Sequence, residues 1–482
     1  MIKVSSAAII GNNAVCVDIE VDVRTGLPSF ELVGLAGPAV KESRERVRSA
    51  LKNSGFDFPI KRIVVNLAPA DIKKHGTLYD LPIALGILAA AGQFEQKILQ
   101  KFLIAGELSL SGGVRPIHGV ISLAELASKC NQAVIIPKQN AKEAAAANNR
   151  VYPISSLKQA YGFLKNMIKI KPIRRQKYLP KTLKPGFSGI KGQSIAKRMM
   201  IIAAAGHHHT LLVGPPGTGK TMLAQSVINF MPPLSYNEAV ETTKIYSNAK
   251  LLKPQVSLIN KRPIRKPHHS ISLSGLVGGG NPIRPGEITL ASNGLLILDE
   301  LLEFKSSVLQ ALRQPLENRQ VAIVRANQRV VFPATFLMIA TTNACPCGHL
   351  GDPYRECRCS IQQINRYHKK LIGPLLDRID LFAYLQPLTL DDYNEDSDSP
   401  VTITHQPQKN GLLTDEQVQN IALSQSVKSL LDKAQKRLRM SARGYYKTIK
   451  VAKTIAELDN TQIEPQHISE ALRYRWEALN LF

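Results

Sequence analysis

The sequence predicts an α/β protein built on a phosphate-loop core. An α/β domain over residues 1–165 and a basic linker over 166–185 precede the core at 186–390, and a helical domain follows at 400–482. Three observations carry this division. The apolar run at 210–213 enters a Gly-rich loop and then a helix-compatible stretch, 222–230. Residues 1–165 alternate short strand-like runs with stretches of helical period, and the run from 415 to the end is helical in pattern throughout.

In the first domain the strand-like runs are 15–23, 62–67 and 132–136. The helical stretches are 38–54, apolar on one face with Glu42, Arg44, Glu45 and Arg48 on the other, and 81–91. Residues 168–184 lose the apolar period and become rich in Lys, Arg and Pro, which marks a basic linker. An acidic stretch at 391–400 marks a second break, and helices are expected over 415–440, 445–459 and 465–479. The chain has no repeat of fixed period.

Composition bounds the function. With 482 residues, 44% hydrophobic and 21% charged, this is globular material for two to four cores. Lys and Arg outnumber Asp and Glu by 62 to 37, a formal charge of +25. Such an excess suits a polyanion. Nucleic acid comes first, because neutralised phosphates release counterions, and an acidic membrane surface second. A generally basic proteome is the bland alternative. The N-terminus has no secretory pattern, and the longest apolar run, 81–92, is about half a bilayer span, so a cytoplasmic protein without membrane insertion is expected. Four of the six cysteines crowd into residues 345–359, which points to a metal site or a reduced cluster and away from a disulfide framework.

The loop itself is Gly214, Pro215, Pro216, Gly217, Thr218, Gly219, Lys220 and Thr221. Its glycines let backbone N–H groups close round phosphates, Lys220 has the reach for the β- and γ-phosphates, and Thr221 stands where a helix N-terminus holds Mg²⁺. The apolar run 295–298 ends in Asp299 and Glu300: the first is a second Mg²⁺ anchor, the second a carboxylate to polarise the attacking water. A third run, 336–340, leads to Asn343, whose amide is suited to the γ-phosphate or the water; an Asn there also serves as a plain turn former.

These three strands in this order resemble the AAA+ ATPases, and RPIRKPHHSISLSGLVGGGNPIRPGEITLASNGLLILDELLEF (262–304) is similar to their magnesium-chelatase-like subgroup. With LVGLAGPAVKESRERVRSALKNSGF near the N-terminus, essentially the whole chain resembles the YifB/ComM family. The resemblance implies ATP and Mg²⁺ as cofactors, a helical lid and a homo-hexameric ring. It also implies action on single-stranded and branched DNA as a helicase driving branch migration in natural transformation. It implies two further site residues, Arg378 in LLDRIDL as an arginine finger and Arg443 as a second sensor. A guanidinium offsets charge on a transferring phosphoryl group. Surface salt bridges are the competing role for both.

The first domain resembles the proteolytic domain of Lon, which works through a Ser–Lys dyad. Asp80 stands near the serine position and Ile121 about where the lysine belongs, so a noncatalytic scaffold is expected. Cys345, Cys347, Cys357 and Cys359 suit a tetrahedral Zn²⁺, with His349 as a substitute ligand and a reduced loop cluster as the alternative. Candidate DNA contacts are Arg262, Arg265 and Lys266 in a basic insert, and Arg325 and Arg329 near the tip of a hairpin over 321–332. The basic helix over 428–439 shares their ambiguity, since charged loops and faces are commonly just solvated. Two rivals remain: a chelatase-type remodelling motor without a DNA role, and a nucleotide-dependent switch, against which Asp299 and Glu300 argue.

Overall fold

The computed structural model describes residues 1–253, 256–325, 328–370, 375–388 and 407–475. The acidic stretch 391–400 lies outside the described residues.

The N-terminal part is organised on a seven-stranded mixed sheet in the order Ser29–Val33, Arg62–Ala68, Asn13–Arg24, Ile2–Ile10, Phe102–Ile104, Ala133–Pro137, Val151–Ile154. Ile2–Ile10 was not expected from the sequence, because Ser5, Ser6, Ala7 and Ala8 blur its alternation. It pairs antiparallel with Asn13–Arg24 through a two-residue turn, Ile10 opposite Asn13, where Gly11 takes φ +62°. The helix Asp80–Ala90 is buried on all sides from Asp80 to Ala89, which explains its lack of a polar face. The single helix expected over 38–54 is two, Pro38–Lys41 and Ser43–Asn53. The break falls beside Ser43, whose hydroxyl is drawn to the buried Asp80.

The second sheet is parallel throughout, in the order Ile264–Arg265, Leu295–Leu298, Leu337–Thr342, Thr210–Val213, Leu381–Tyr384. Alternation divides its side chains between two apolar layers. Leu212, Leu295, Ile297, Ile339 and Leu381 face one, Leu211, Val213, Leu298, Met338 and Phe382 the other. The first layer also takes in the helix Ser194–Gly206 and the C-terminal helices Ala442–Leu458 and Pro465–Arg473. The helix expected over 415–440 is interrupted: Asp415–Gln419 ends, and Ser424 caps a new start at Gln425–Leu438 by accepting from Val427 N–H. Part of the helix expected over 465–479 falls outside the described residues.

The two sheets meet across the helix Tyr236–Asn248, entered by a Ser235/Glu238 capping box. Lys244 Nζ lies 2.6 Å from Glu125 Oε2, and Ser247 Oγ donates to Glu143 at 2.6 Å while accepting from Gly119 N–H at 2.8 Å. The basic linker crosses the same helix, with the Arg175 guanidinium 4.1 Å from the Tyr236 ring centre. Among the described residues no helix is long and apolar enough to cross a membrane.

Candidate nucleotide site

The loop from Gly214 to Thr221 leaves the C-terminal end of Thr210–Val213 and enters the helix Lys220–Ser226. Gly217 and Gly219 take φ +82° and +83°, and a Cβ on either meets nothing within 4 Å, so the glycines keep both the left-handed turn and open space in front of it. Gly214 is tight instead: a Cβ there falls 2.5 Å from the Leu385 carbonyl oxygen. Thr218 braces the loop through Oγ1 to the Pro215 carbonyl at 2.9 Å.

Lys220 folds back on the loop, donating to the carbonyls of Gly214 and Pro215 at 2.6 Å each and to Asn343 Oδ1 at 3.2 Å. Burial pushes its ammonium down to about 8, against the pull of Asp299 and Glu300. A desolvated cation resting on carbonyl oxygens is matched to an anionic ligand.

Asp299 is not on the strand next to the phosphate loop. Leu337–Thr342 lies between them, because it pairs with both Thr210–Val213 and Leu295–Leu298. The carboxylate spans the gap. It accepts from Thr221 Oγ1 at 3.1 Å to each oxygen and from Thr341 Oγ1 at 2.6 Å, and Lys266 Nζ lies 2.9 Å from Oδ2. Burial opposes its charge, but the hydrogen bonds from Thr341, Lys266 and Thr221 outweigh it and hold the carboxyl below its usual range. A cation on this carboxylate beside the Thr221 hydroxyl occupies ground suited to a hard divalent ion with oxygen ligands.

Glu300 follows in the left-handed region, φ +54°, with its N–H donating to Thr341 Oγ1 at 3.2 Å. An L-residue other than Gly, Asn or Asp adopts that conformation at a cost. Its side chain is more than half exposed, 58%, and faces His269, Nδ1 to Oε2 3.7 Å. Asn343 comes directly after Leu337–Thr342, so the residues expected to surround a nucleotide converge at one edge of the sheet.

The two arginines do not. Arg378 closes the 3₁₀ turn Leu376–Arg378 ahead of the N-terminal end of Leu381–Tyr384, whose Leu381 pairs with Thr210. The strands are parallel, so Arg378 sits at the edge opposite the phosphate loop of its own chain. Arg443 joins it there: both guanidinium groups hold Glu317 Oε1, Arg378 at 2.5 Å and Arg443 at 3.2 Å. Within its own chain Arg443 is therefore not part of the phosphate-loop site.

The basic insert also reads differently. Arg262 is 5% exposed and spent on structure, binding the carbonyls of Pro232 and Asn293 at 2.6 and 2.7 Å and Glu238 at 3.1 Å. Arg265 is held in a fork by Glu287 at 2.5 and 2.6 Å. Lys266 belongs to the Asp299 site. The signal for this was position: 266 follows a strand of the same parallel sheet at its C-terminal end, where the other nucleotide residues gather. Arg325 and Arg329 stand exposed on the hairpin Gln320–Arg325/Gln328–Pro333, and neither is ion-paired with a described residue.

The four clustered thiols converge, with all Sγ atoms within 4.8 Å of one another. His349 is not among them; its Nδ1 is 3.3 Å from Asp352 Oδ2. In the histidine run 207–209, His208 Nε2 meets Thr454 Oγ1 at 2.8 Å, and Met338 N–H donates to His209 Nδ1 at 3.1 Å.

In the N-terminal part Asp80 is fully buried and bound by the Ser43 hydroxyl and by Arg46 Nε at 2.8 Å, while Ile121 is buried and its N–H donates to Glu143 at 3.2 Å. Neither residue is the hydroxyl or the amine of a Ser–Lys dyad.

Known proteins resemble the chain over nearly its whole length. Residues 186–393 match the family described as magnesium chelatase, subunit ChlI. Residues 19–140 match subunit ChlI of Mg-chelatase, and 400–475 its C-terminal family. Over 98% of its length the chain is 41% identical to competence protein ComM of Haemophilus influenzae, covering 97% of that protein. It is 38% identical to the uncharacterized protein YifB of Escherichia coli, over 98% of this chain and 96% of that one. A shorter stretch, 39% of the chain and 17% of the relative, is 23% identical to the DNA replication licensing factor mcm6 of Schizosaccharomyces pombe. The chain belongs to the YifB/ComM family of magnesium-chelatase-like AAA+ ATPases.

Proposed function

We propose that this chain is the subunit of an ATP-driven homo-hexameric ring that translocates on single-stranded and branched DNA and drives branch migration during natural transformation. The observation that carries the reading is the convergence of Lys220, Thr221, Asp299 and Asn343 at one edge of a parallel sheet. In this reading the loop from Gly214 to Thr221 binds the phosphates of ATP. Thr221 and Asp299 hold Mg²⁺ once Lys266 yields its place. Bound Mg²⁺ would neutralise charge on the β- and γ-phosphates. Glu300 activates the attacking water, and Asn343 orients it. The edge carrying Arg378 and Arg443 faces the phosphate loop of the next subunit, which makes each site composite. The C-terminal helices act as the lid, and the Lon-like N-terminal part is a scaffold without proteolysis.

The DNA role is supported by the charge of +25, by the exposed Arg325 and Arg329, and by relatives named for competence and DNA replication. A remodelling ATPase without a DNA role is the second reading, favoured by the family descriptions, which speak of magnesium chelatase. ATP turnover measured alone and with single-stranded, duplex and branched DNA separates the two. Stimulation greatest on branched or single-stranded DNA is expected; a flat response sinks the DNA motor and leaves the remodelling ATPase.

A further inference from the structure

The geometry points to a mononuclear zinc centre on Cys345, Cys347, Cys357 and Cys359 that holds Asn343 in place against the phosphate loop and so sets the rate of ATP hydrolysis. The second half rests on the nucleotide reading above; the first does not.

Separation of the thiols decides the kind of centre. Cys345 Sγ is 3.4 Å from Cys347 Sγ and 3.6 Å from Cys357 Sγ, and Cys347 is 3.7 Å from Cys357. A Zn–S bond of about 2.3 Å makes the edge of a ZnS₄ tetrahedron about 3.8 Å. A disulfide needs about 2.05 Å, and all four thiols are free. An iron–sulfur cubane spreads its cysteines around a cluster wider than one ion, whereas here the whole set fits within 4.8 Å. Outer contacts are those a thiolate site uses. The Leu350 N–H donates to Cys345 Sγ at 3.3 Å, and Gly348, at φ +85°, returns its N–H to the Cys345 carbonyl at 3.0 Å.

The same loop touches the nucleotide site. Cys345 is two residues beyond Asn343, whose Oδ1 receives Lys220. A Cβ on Gly348 stands 3.0 Å from Pro216 Cδ and 3.9 Å from Asn343 Cγ, so the metal loop lies directly on the phosphate loop. Its far side is tied down by the Tyr384 hydroxyl donating to the Leu350 carbonyl at 3.0 Å and by His368 Nε2, 2.7 Å from the Ala344 oxygen. With the ion bound, residues 343–350 form a rigid bracket between Lys220 and Tyr384. Without it, four thiols free to separate leave Asn343 anchored by backbone alone.

Elemental analysis of the purified full-length chain should give about one zinc per chain, and cobalt replacement should give thiolate-to-cobalt charge transfer with tetrahedral d–d bands. Replacing Cys16 and Cys130, which lie elsewhere, with Ser should leave both signals. Cys347→Ser should lose the metal and lower kcat about tenfold or more, with the KM for ATP changing less than about threefold, the scale expected when an outer support is lost. Gly348→Ala supplies a second variant that keeps every ligand: metal retained, kcat lowered. Less than about a tenth of an ion per chain, with four thiols reactive in the native protein, overturns the centre. One zinc per chain with wild-type kcat in both variants overturns the coupling. A wild-type chain that carries zinc and hydrolyses no ATP overturns the nucleotide reading, and the coupling with it, while the metal centre stands.

Discussion

Two carboxylates in this molecule are built alike and behave oppositely. Asp80, in the N-terminal part, accepts from a hydroxyl, Ser43, from the Leu108 N–H at 3.2 Å and from Arg46 Nε at 2.8 Å. Asp299, in the second sheet, accepts from two hydroxyls, Thr221 and Thr341, and pairs with Lys266 at 2.9 Å. The difference is what stands on the outer side. Asp80 is 0% exposed, and its arginine is fixed in turn to the Ala39 carbonyl at 3.0 Å. Asp299 is 27% exposed, and its cation is a lysine at 39%, a point charge on a flexible stem. Burial wins at Asp80 and raises its carboxyl; at Asp299 the hydrogen bonds win. One arrangement closes a core and the other keeps a place open.

Glu317 extends the comparison. It is 39% exposed and holds Arg378 and Arg443 at the far edge of the sheet, so it parks two cations as Asp299 parks one. If they are parked for the next subunit, Arg378→Ala should bind ATP yet hydrolyse it about 10³ to 10⁵ times more slowly. Mixing Arg378→Ala with Glu300→Gln, each inactive alone, should restore turnover at boundaries that join an intact Glu300 to an intact Arg378. Mixed rings as inactive as either parent, with subunit exchange confirmed, would remove the composite site and leave Glu317 an ordinary ion-pair partner.

Smaller effects sharpen the contrast itself. Asp299→Asn should slow turnover by about 10²-fold or more, since a metal's contribution to stabilising transition-state charge is worth several kcal/mol, and should lower the melting temperature only modestly, because it removes a partly exposed ion pair and keeps an oxygen for Thr341. Asp80→Ala should do the reverse. Stranding Arg46 beside a buried site costs about 3–5 kcal/mol, visible in urea unfolding of the N-terminal part, with turnover per folded chain unchanged. If Asp80→Ala abolishes hydrolysis in a folded chain, the N-terminal part is no mere scaffold and the comparison fails.

What the sequence disclosed follows from how local each signal is. The phosphate loop was legible because strand, loop and helix are contiguous, and Asp299 and Asn343 because each ends an apolar run long enough to stand alone. The hairpin carrying Arg325 and Arg329 was legible from its alternation. The ion pair of Lys266 with Asp299 was not foreseen, because its partner is 33 residues away in sequence and only the order of strands brings them together. The burial of Arg262 was missed for the same reason, since its carbonyl partners come from two separate segments, Pro232–Pro233 and Asn293. The grouping of Arg443 with Arg378 needed the packing of the C-terminal helices on the sheet, which no local pattern encodes. Convergence of the four thiols was expected from their spacing, but the abutment of Gly348, in the same loop, on Pro216 was not, because it depends on a glycine's missing side chain.

The smallest expected effect tests whether the open place is built for an anion as well as a metal. Lys220 in the nucleotide-free site is pushed down to about 8 by burial, from an ordinary 10.5. Its folded value lies below its unfolded one, so between pH 8 and 10.5 the unfolded chain holds the proton more firmly, and the empty site gains stability as pH rises through that window. A polyphosphate beside the ammonium restores the charge, so binding must run the other way. Affinity for ATP should be level below pH 8 and fall by up to about tenfold per unit above it, with uptake of one proton. The phosphate's own last titration, near pH 6, is complete before this range. Calorimetry at pH 7.5 and 9.5 in buffers of different ionisation heat reads the proton directly. Lys220→Arg, which stays charged throughout, should bind with no proton uptake at either pH. Level affinity and no proton uptake in the unaltered chain would mean that Lys220 is solvated in the empty site. The contrast with Asp80 would then rest on the carboxylate alone.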